Sequence, residues 1–270
     1  MREALPACVA NTAGRFPASN GMKAVILAGG SGTRLHPLTL VTNKHLLPIY
    51  DKPVIYYAIE KLVDAGISKV MVVTAPHHID SFVRLLGSGQ NFVPKTSTAK
   101  QIQIVYGIQN EPNGIAYGLF IAEDYIGRDS CVLFLGDNII VDDITPAIKQ
   151  FKKGATVFLK KVTDPRRFGV ATLDRKGKIT SIEEKPNKPK GNLAVAGLYV
   201  YDNTVFEKIR KIPKSERGEY EITDVNKLYL KDGALNLHML KEEWFDIGTV
   251  EALHKASRFM KKRQKGKSKE

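Results

Sequence analysis

"AVILAGGSGTRLHPLT", residues Ala24 to Thr39, opens as a buried-strand run, breaks into glycines and then presents Arg34. Glycines at a strand end let backbone N–H groups approach an anion closely, and a positive side chain there neutralises its charge. Two well-known phosphate loops fail on spacing. Gly30-Ser31-Gly32-Thr33-Arg34 is followed by Leu35, where a dinucleotide fingerprint needs a third glycine for close helix–strand packing. Counted from Gly29, the sixth position is Arg34, and no Lys-Ser/Thr pair follows to make a P-loop. The loop alone leaves open a plain glycine turn with a surface arginine.

Outward from this stretch the chain alternates. "KPVIYYAIEKLVDAGI" sets Ile55, Ile59, Leu62 and Val63 at helical spacing and stops at Gly66, and "KVMVVTAP" (residues 69–76) is a second apolar strand. That β-α-β unit predicts two parallel strands joined by a right-handed crossover. "IDSFVRLLGSG" reads as a helix, "QIQIVYGI" as a strand, "GIAYGLFIAEDYI" as a helix, and "SCVLFLGDNII" as one continuous strand ending in Gly136-Asp137-Asn138. A helix, "TPAIKQFKKGA", and a strand, "ATVFLKKV", follow. The second half is more antiparallel: a hairpin around residues 175–177, the strand "LAVAGLYVYD", two helices, the strand "ALNLHML" and a closing helix "TVEALHKASRFMKKR". The expected fold class is α/β, a mixed central sheet with helices on both faces, in one domain.

Composition narrows the setting. At 270 residues, with 43% hydrophobic and 26% charged, the chain suits a globular protein with a sizeable core. No apolar run approaches the ~20 residues that span a bilayer, so no membrane association is expected. Cys8 and Cys131 lack metal-ligand spacing, which points to a reduced, cytoplasmic setting. Of the net charge of +13, residues 255–270 hold eight Lys and Arg against one Glu, leaving 33 basic and 27 acidic residues elsewhere. That tail reads as a solvated, disordered terminus over residues 261–270; nucleic-acid binding through it is the competing reading. Residues 1–21 show neither amphipathic period nor a signal-type apolar core and read as a disordered leader.

Ten residues beyond Arg34 stands Lys44, in "NKHLLPIYDKP". The combination "LAGGSGTRLHPLT…NKHLLPIYDKP" resembles the sugar-1-phosphate nucleotidylyltransferases, and within them the thymidylyltransferases acting on glucose 1-phosphate. The likeness continues through "GIQNEPNGIAYGL", "LGDNI", "DPRRFGVATLD", "IEEKP", "AVAGLYVYD", "RGEYEITDVN" and "WFDIGT", over residues 22–260 in order. The resemblance implies a Rossmann-like nucleotidyltransferase fold, mostly parallel, with a smaller antiparallel sugar-binding part. It implies Mg²⁺ as cofactor, dTTP or UTP and glucose 1-phosphate as substrates, a nucleoside diphosphate-sugar and pyrophosphate as products, and self-association into a homo-oligomer. The attacking phosphate is already ionised at neutral pH, so the chemistry calls for alignment and cations, not a general base.

Residue by residue, the resemblance assigns Arg34 to the triphosphate and departing pyrophosphate, where a guanidinium fork holds two oxygens at once. Lys44 falls to the transferring phosphate. Leu27, Gly29, Gly30, Gly32 and Thr33 lie along the nucleotide, with Gln109 reading the O4/N3–H edge of the base and Gly114 admitting close approach. Asp137 and Asp246 are the implied metal ligands. Glu184, Lys185, Val195, Gly197 and Thr223 form the implied sugar and sugar-phosphate set. Taken singly, Arg34 also reads as a surface arginine beside a glycine turn, Lys44 as a solvated surface lysine, either aspartate as a turn or cap residue, Gln109 as a loop residue and Glu184–Lys185 as an exposed charge pair.

Three positions depart from the long bacterial enzymes of this family. His45 replaces a glutamine, Tyr117 another glutamine, and Phe168 a tyrosine. "NFVPKTSTAKQ" reads as a surface insertion, and the chain stops short of the segment tied to feedback inhibition, which puts a separate product site in doubt. The competing functions are UTP-dependent transfer and a catalytically silent nucleotide-sensing subunit. The latter's expected mark, loss of Arg34, Lys44, Asp137 or Asp246, is absent.

Overall fold

The computed structural model describes residues 21–92 and 101–267. In chain order the elements are β1 (Lys23–Leu27), β2 (Pro48–Ile49), β3 (Lys52–Pro53), α1 (Val54–Asp64), β4 (Lys69–Thr74), α2 (Ile79–Leu86) and β5 (Gln103–Ile108). Next come α3 (Ile115–Phe120), α4 (Glu123–Ile126), β6 (Cys131–Leu135), β7 (Asn138–Ile140), α5 (Thr145–Gln150), β8 (Ala155–Lys161), β9 (Gly169–Leu173) and β10 (Ile179–Glu184). The chain continues through β11 (Leu193–Tyr201), α6 (Val205–Ile209), α7 (Ile222–Lys231), β12 (Leu235–Met239), β13 (Trp244–Asp246) and α8 (Val250–Lys267).

β1 sits between two parallel neighbours, β4 and β6, with Ala24 opposite both Val70 and Val132. Its side chains alternate between two cores. Ala24 and Ile26 pack with Ile55, Ile59 and Leu62 of α1 and Phe82 and Leu86 of α2, while Val25 packs with Leu119 of α3, Phe206 of α6 and Val225 of α7. Both faces are covered, which is why the strand is apolar at every position from Ala24 to Leu27. Each fully buried Ile or Leu contributes roughly 1.5–3 kcal/mol of transfer free energy.

Among the described residues the main sheet has nine strands. Its path runs β10-β9-β11-β6-β1-β4-β5, with β8 also paired to β11 and β12 to β8. Strands β5, β4, β1 and β6 are parallel, and β11 lies antiparallel to β6, β8 and β9. The predicted β-α-β unit and the β9–β10 hairpin are both present.

Three expectations need correction or delimiting. The strand read as continuous through "SCVLFLGDNII" is two strands: β6 ends at Leu135, and β7 leaves the main sheet to pair with β13. Both pieces are buried, so hydrophobicity alone carries no sign of the break. The basic stretch from residue 261, read as a disordered tail, continues α8 through Lys267. Phe259 and Met260 pack on the cluster of Phe245, Ile49 and Ile247, and an Arg263–Glu242 ion pair at 2.7 Å holds the next turn. The leader, apart from Gly21, and most of the suggested insertion fall outside the described residues.

Two glycines separate backbone strain from steric exclusion. Gly177, in the hairpin, has φ +76° and open space where a Cβ would go, whereas Gly154 has φ +82° and a Cβ there would lie 2.3 Å from the Ala234 carbonyl oxygen. Gly177→Ala should therefore cost about 1 kcal/mol of backbone strain. Gly154→Ala should lose roughly 1–3 kcal/mol beyond that, because the start of β8 or β12 must shift. Urea-denaturation midpoints of the two variants check this; equal losses would refute it.

Candidate active site

Ligands in open α/β sheets gather beyond the carboxyl ends of parallel strands. The loop leaving β1 turns there through Gly32, in the left-handed region at φ +64°, into a single 3-10 turn over residues 33–35 that carries Thr33 and Arg34. A second such turn, residues 44–46, carries Lys44. The two are clamped together by Asn43, which is buried: its Nδ2 donates to the Ala28 carbonyl at 3.1 Å, and its Oδ1 accepts from the His45 amide at 2.9 Å. A Cβ on Gly30 would lie 3.0 Å from the Lys44 Cε, and one on Gly32 3.2 Å from its Cβ, so these glycines admit the lysine. Burial, reinforced by neighbouring Lys44, pushes the His45 imidazole down to about 3, leaving it neutral.

Lys44 Nζ makes an ion pair with Asp137 Oδ2. Asp137 stands in the corner between β6 and β7; its Oδ1 accepts from Asn138 Nδ2 at 2.8 Å. Burial acts to raise this carboxyl, but the Lys44 ammonium and these bonds hold it below the usual carboxylate range. Asp246 arrives from β13, whose antiparallel register sets it opposite Asn138. Burial and then the charge of Asp137 push Asp246 up to about 6, against opposing pulls from Lys44, Arg167 and Arg34. Arg34 closes this ring: its Nη2 would lie 3.0 Å from a Cβ on Gly248, two residues beyond Asp246.

The remaining predicted residues fall into two groups. On one side, Gln109 extends from the end of β5, its Oε1 3.6 Å from where a Gly29 Cβ would be and 3.1 Å from that of Gly118, which also abuts Leu27. Gln109 Nε2 donates to the Glu111 carbonyl at 2.9 Å. Gly114, with φ +98°, packs against the Tyr220 backbone instead of Gln109. On the other side, Thr223 Oγ1 donates to Glu184 Oε2, and Gly169 has no side chain where Thr223, Glu184 and Val195 converge. Lys185 follows Glu184 at φ +40°, with Nζ 3.8 Å from Glu184 Oε1. Gly197 meets Asn138, whose Oδ1 accepts from the Gly197 amide at 3.0 Å.

Residues the sequence reading did not single out complete the picture. Asn43 and Asn138 are buried brackets, recognisable only through partners far along the chain. Arg167 and Arg217 sit in stretches that carried the resemblance and face the same acidic groups: Arg167 Nη2 lies 3.4 Å from Asp246 Oδ2, and Arg217 Nη2 lies 3.4 Å from Glu184 Oε1. An arginine beside each quoted motif was the available signal.

Among the described residues no group of three or more His, Cys, Asp or Glu side chains could hold a metal ion. Asp137 and Asp246 offer two hard carboxylates, and a divalent cation between them would offset the repulsion that raises Asp246. Mg²⁺ typically takes one or two protein carboxylates and completes its shell with substrate phosphates and water, so the pair fits that ion.

Residues 23–263 match the nucleotidyl transferase family. The chain is 46% identical to a glucose-1-phosphate thymidylyltransferase of Neisseria meningitidis, over 88% of this chain and 82% of that one, and 44% identical to one of Mycolicibacterium smegmatis, over 89% and 82%. A crystal structure from Bacillus anthracis, provisionally named a glucose-1-phosphate thymidylyltransferase and solved with sucrose, superposes with a TM-score of 0.82 at 45% identity, covering 88% of this chain and 95% of that one. A UDP-glucose pyrophosphorylase complexed with UDP-glucose superposes at 0.78 with 25% identity, covering 90% and 99%. A single match running from the first strand into the closing helix leaves little of the fold unaccounted for: the chain belongs to the nucleotidyl transferase family.

Proposed function

We propose that this enzyme transfers a thymidylyl group from dTTP to glucose 1-phosphate, forming dTDP-glucose and releasing pyrophosphate. The observation that carries the reading is the carboxylate pair of Asp137 and Asp246 ringed by Lys44, Arg34 and Arg167. Such a ring suits a reaction between two polyanions. The names of the relatives supply the substrate pair, dTTP and glucose 1-phosphate.

In this reading a sugar-phosphate oxygen attacks the α-phosphorus of dTTP, and the bond to the β-phosphate oxygen breaks in line. Arg34 grips the triphosphate and steadies the departing pyrophosphate with its two-pronged fork. Lys44, held at the transfer point by Asn43 and Asp137, offsets charge on the transferring phosphate. Gln109 meets the base edge, with Leu27, Gly29, Gly30, Gly32, Thr33 and Gly114 shaping the nucleotide path. Glu184, Lys185, Val195, Gly197 and Thr223 receive the sugar and its phosphate. Asp137 and Asp246 would hold Mg²⁺, which when bound supplies Lewis-acid neutralisation of phosphate charge.

Purified protein supplied with Mg²⁺, glucose 1-phosphate and each of five nucleoside triphosphates should release pyrophosphate, fastest with dTTP. Absence of turnover with every pair would sink the reading, and a clear preference for UTP would move it to uridylyl transfer. Asp137→Asn should lower kcat about 10²–10³-fold, on the scale of losing one charged transition-state contact, while its far-UV circular dichroism stays unchanged. Near-normal turnover would remove Asp137 from the proposed set.

The raised carboxyl of Asp246 also fixes a pH dependence. Below about 6 this group holds a proton that a cation must displace. Mn²⁺ affinity, followed by electron paramagnetic resonance, should be level above about pH 7 and fall about tenfold per unit as pH drops well below 6. A flat profile from pH 5 to 8 would contradict the assignment.

A further inference from the structure

We propose that Arg167 binds the phosphate of the sugar 1-phosphate, as a further phosphate-directed cation beside Arg34, Lys44 and Lys185. The proposal rests on the nucleotidyl-transfer reading above. Two adjacent arginines leave the turn over residues 165–167 in opposite roles. Arg166 folds back on Asp164, its Nε and Nη2 giving bonds of 2.8 and 3.2 Å to the two carboxylate oxygens, out in solvent. Arg167 turns toward the site, where its Nη2 reaches Asp246 Oδ2 at 3.4 Å.

The Arg167 guanidinium rests near an aromatic pair but is held by little else. The guanidinium lies 5.6 Å from the Phe168 ring, Phe168 packs 4.9 Å from Trp244, and Trp244 Nε1 donates to Asn138 Oδ1 at 2.6 Å. The aromatic pair thus ties Arg167 to the amide that also bonds Asp137. The side chain is 41% exposed and bonds Asp246 through one long contact. A single exposed contact of that kind is weak. A divalent cation held by Asp246 would compete for this bond, and a guanidinium fork left free there suits two phosphate oxygens.

The position also selects which phosphate. Arg34 is carried by the loop that leaves β1, which follows Leu27 and Gly29 in the chain. Arg167 is two residues from Gly169, around which Thr223, Glu184 and Val195 converge. It therefore addresses the sugar substrate.

The test compares wild type with Arg167→Ala, Arg167→Lys and, as the neighbouring control, Arg166→Ala, all as full chains. Loss of a charged hydrogen-bonding partner should raise KM for glucose 1-phosphate about tenfold to a hundredfold in Arg167→Ala and leave KM for dTTP within about twofold. Arg167→Lys should recover part of the loss, and Arg166→Ala should match wild type. Calorimetric binding of glucose 1-phosphate, with Mg²⁺ and a non-reactive dTTP analogue, should weaken in the same order. Mn²⁺ affinity should be unchanged or tighter in Arg167→Ala, because a competing counter-ion to Asp246 is gone. An unchanged KM and binding constant for the sugar phosphate, or equal losses for both substrates, would overturn the proposal. If wild type turns over no substrate pair, the reaction reading falls, and the calorimetric series still decides whether Arg167 binds the sugar phosphate.

Discussion

The site depends on one short antiparallel pairing. β7 and β13 share only three residue pairs, yet their register sets Asp246 opposite Asn138, beside Asp137. The Asn138 amide locks the arrangement: its Oδ1 accepts from the Gly197 amide of β11 and the Trp244 indole of β13, and its Nδ2 donates to Asp137. A Cβ on Gly197 would lie 2.6 Å from that amide, so β11 must carry glycine where it does. One buried side chain thereby fixes the main sheet, the small sheet and an acidic group relative to one another. Buried networks of this kind hold a geometry firmly only when every member is bonded.

Bringing two carboxylates together is unfavourable, and the surrounding chain shows how that is offset. Asp137 keeps its charge through Lys44; Asp246, farther from that ammonium, is left with a raised proton affinity. The cations come from three separate turns, after β1, before β2 and before β9, so no single loop sets the balance. Distributed charge suits a site that must accept two polyanions and then release one.

How much of this was legible in the sequence follows from the range of the interactions. β1, α1 and the β9–β10 hairpin are set by local patterns, a continuous apolar run, a 3.6-residue period and a Gly-containing turn, and they stand where those patterns put them. The break between β6 and β7 is invisible locally, because residues on both sides are buried in different sheets. The helical course of residues 261–267 was missed for a related reason. Net charge argued for a frayed end, while Phe259, Met260 and Arg263 supply tertiary contacts that composition does not report. The glycine loop, Lys44 and the two aspartates, which the fold brings together, were picked out by their order along the chain. Asn43, Asn138 and Arg167 were not, since an amide or arginine acquires its role only from partners that folding brings to it.

The nucleotide side carries a constraint of its own. Gln109 has its Oε1 close to Gly29 and Gly118 and one amide hydrogen committed to the Glu111 carbonyl. A carboxamide fixed in this way presents one acceptor and one remaining donor, which match N3–H and O4 of thymine. Uracil shows the same edge, so in the proposed reading Gln109 would not separate dTTP from UTP. That separation falls to contacts with the 5-methyl group and the ribose 2′ position. A methyl group in an apolar pocket is worth only ~1–3 kcal/mol, or roughly 10–200-fold. Strict thymidylyl specificity therefore needs exclusion of the 2′-hydroxyl as well, by backbone or side chain lying close against the ribose.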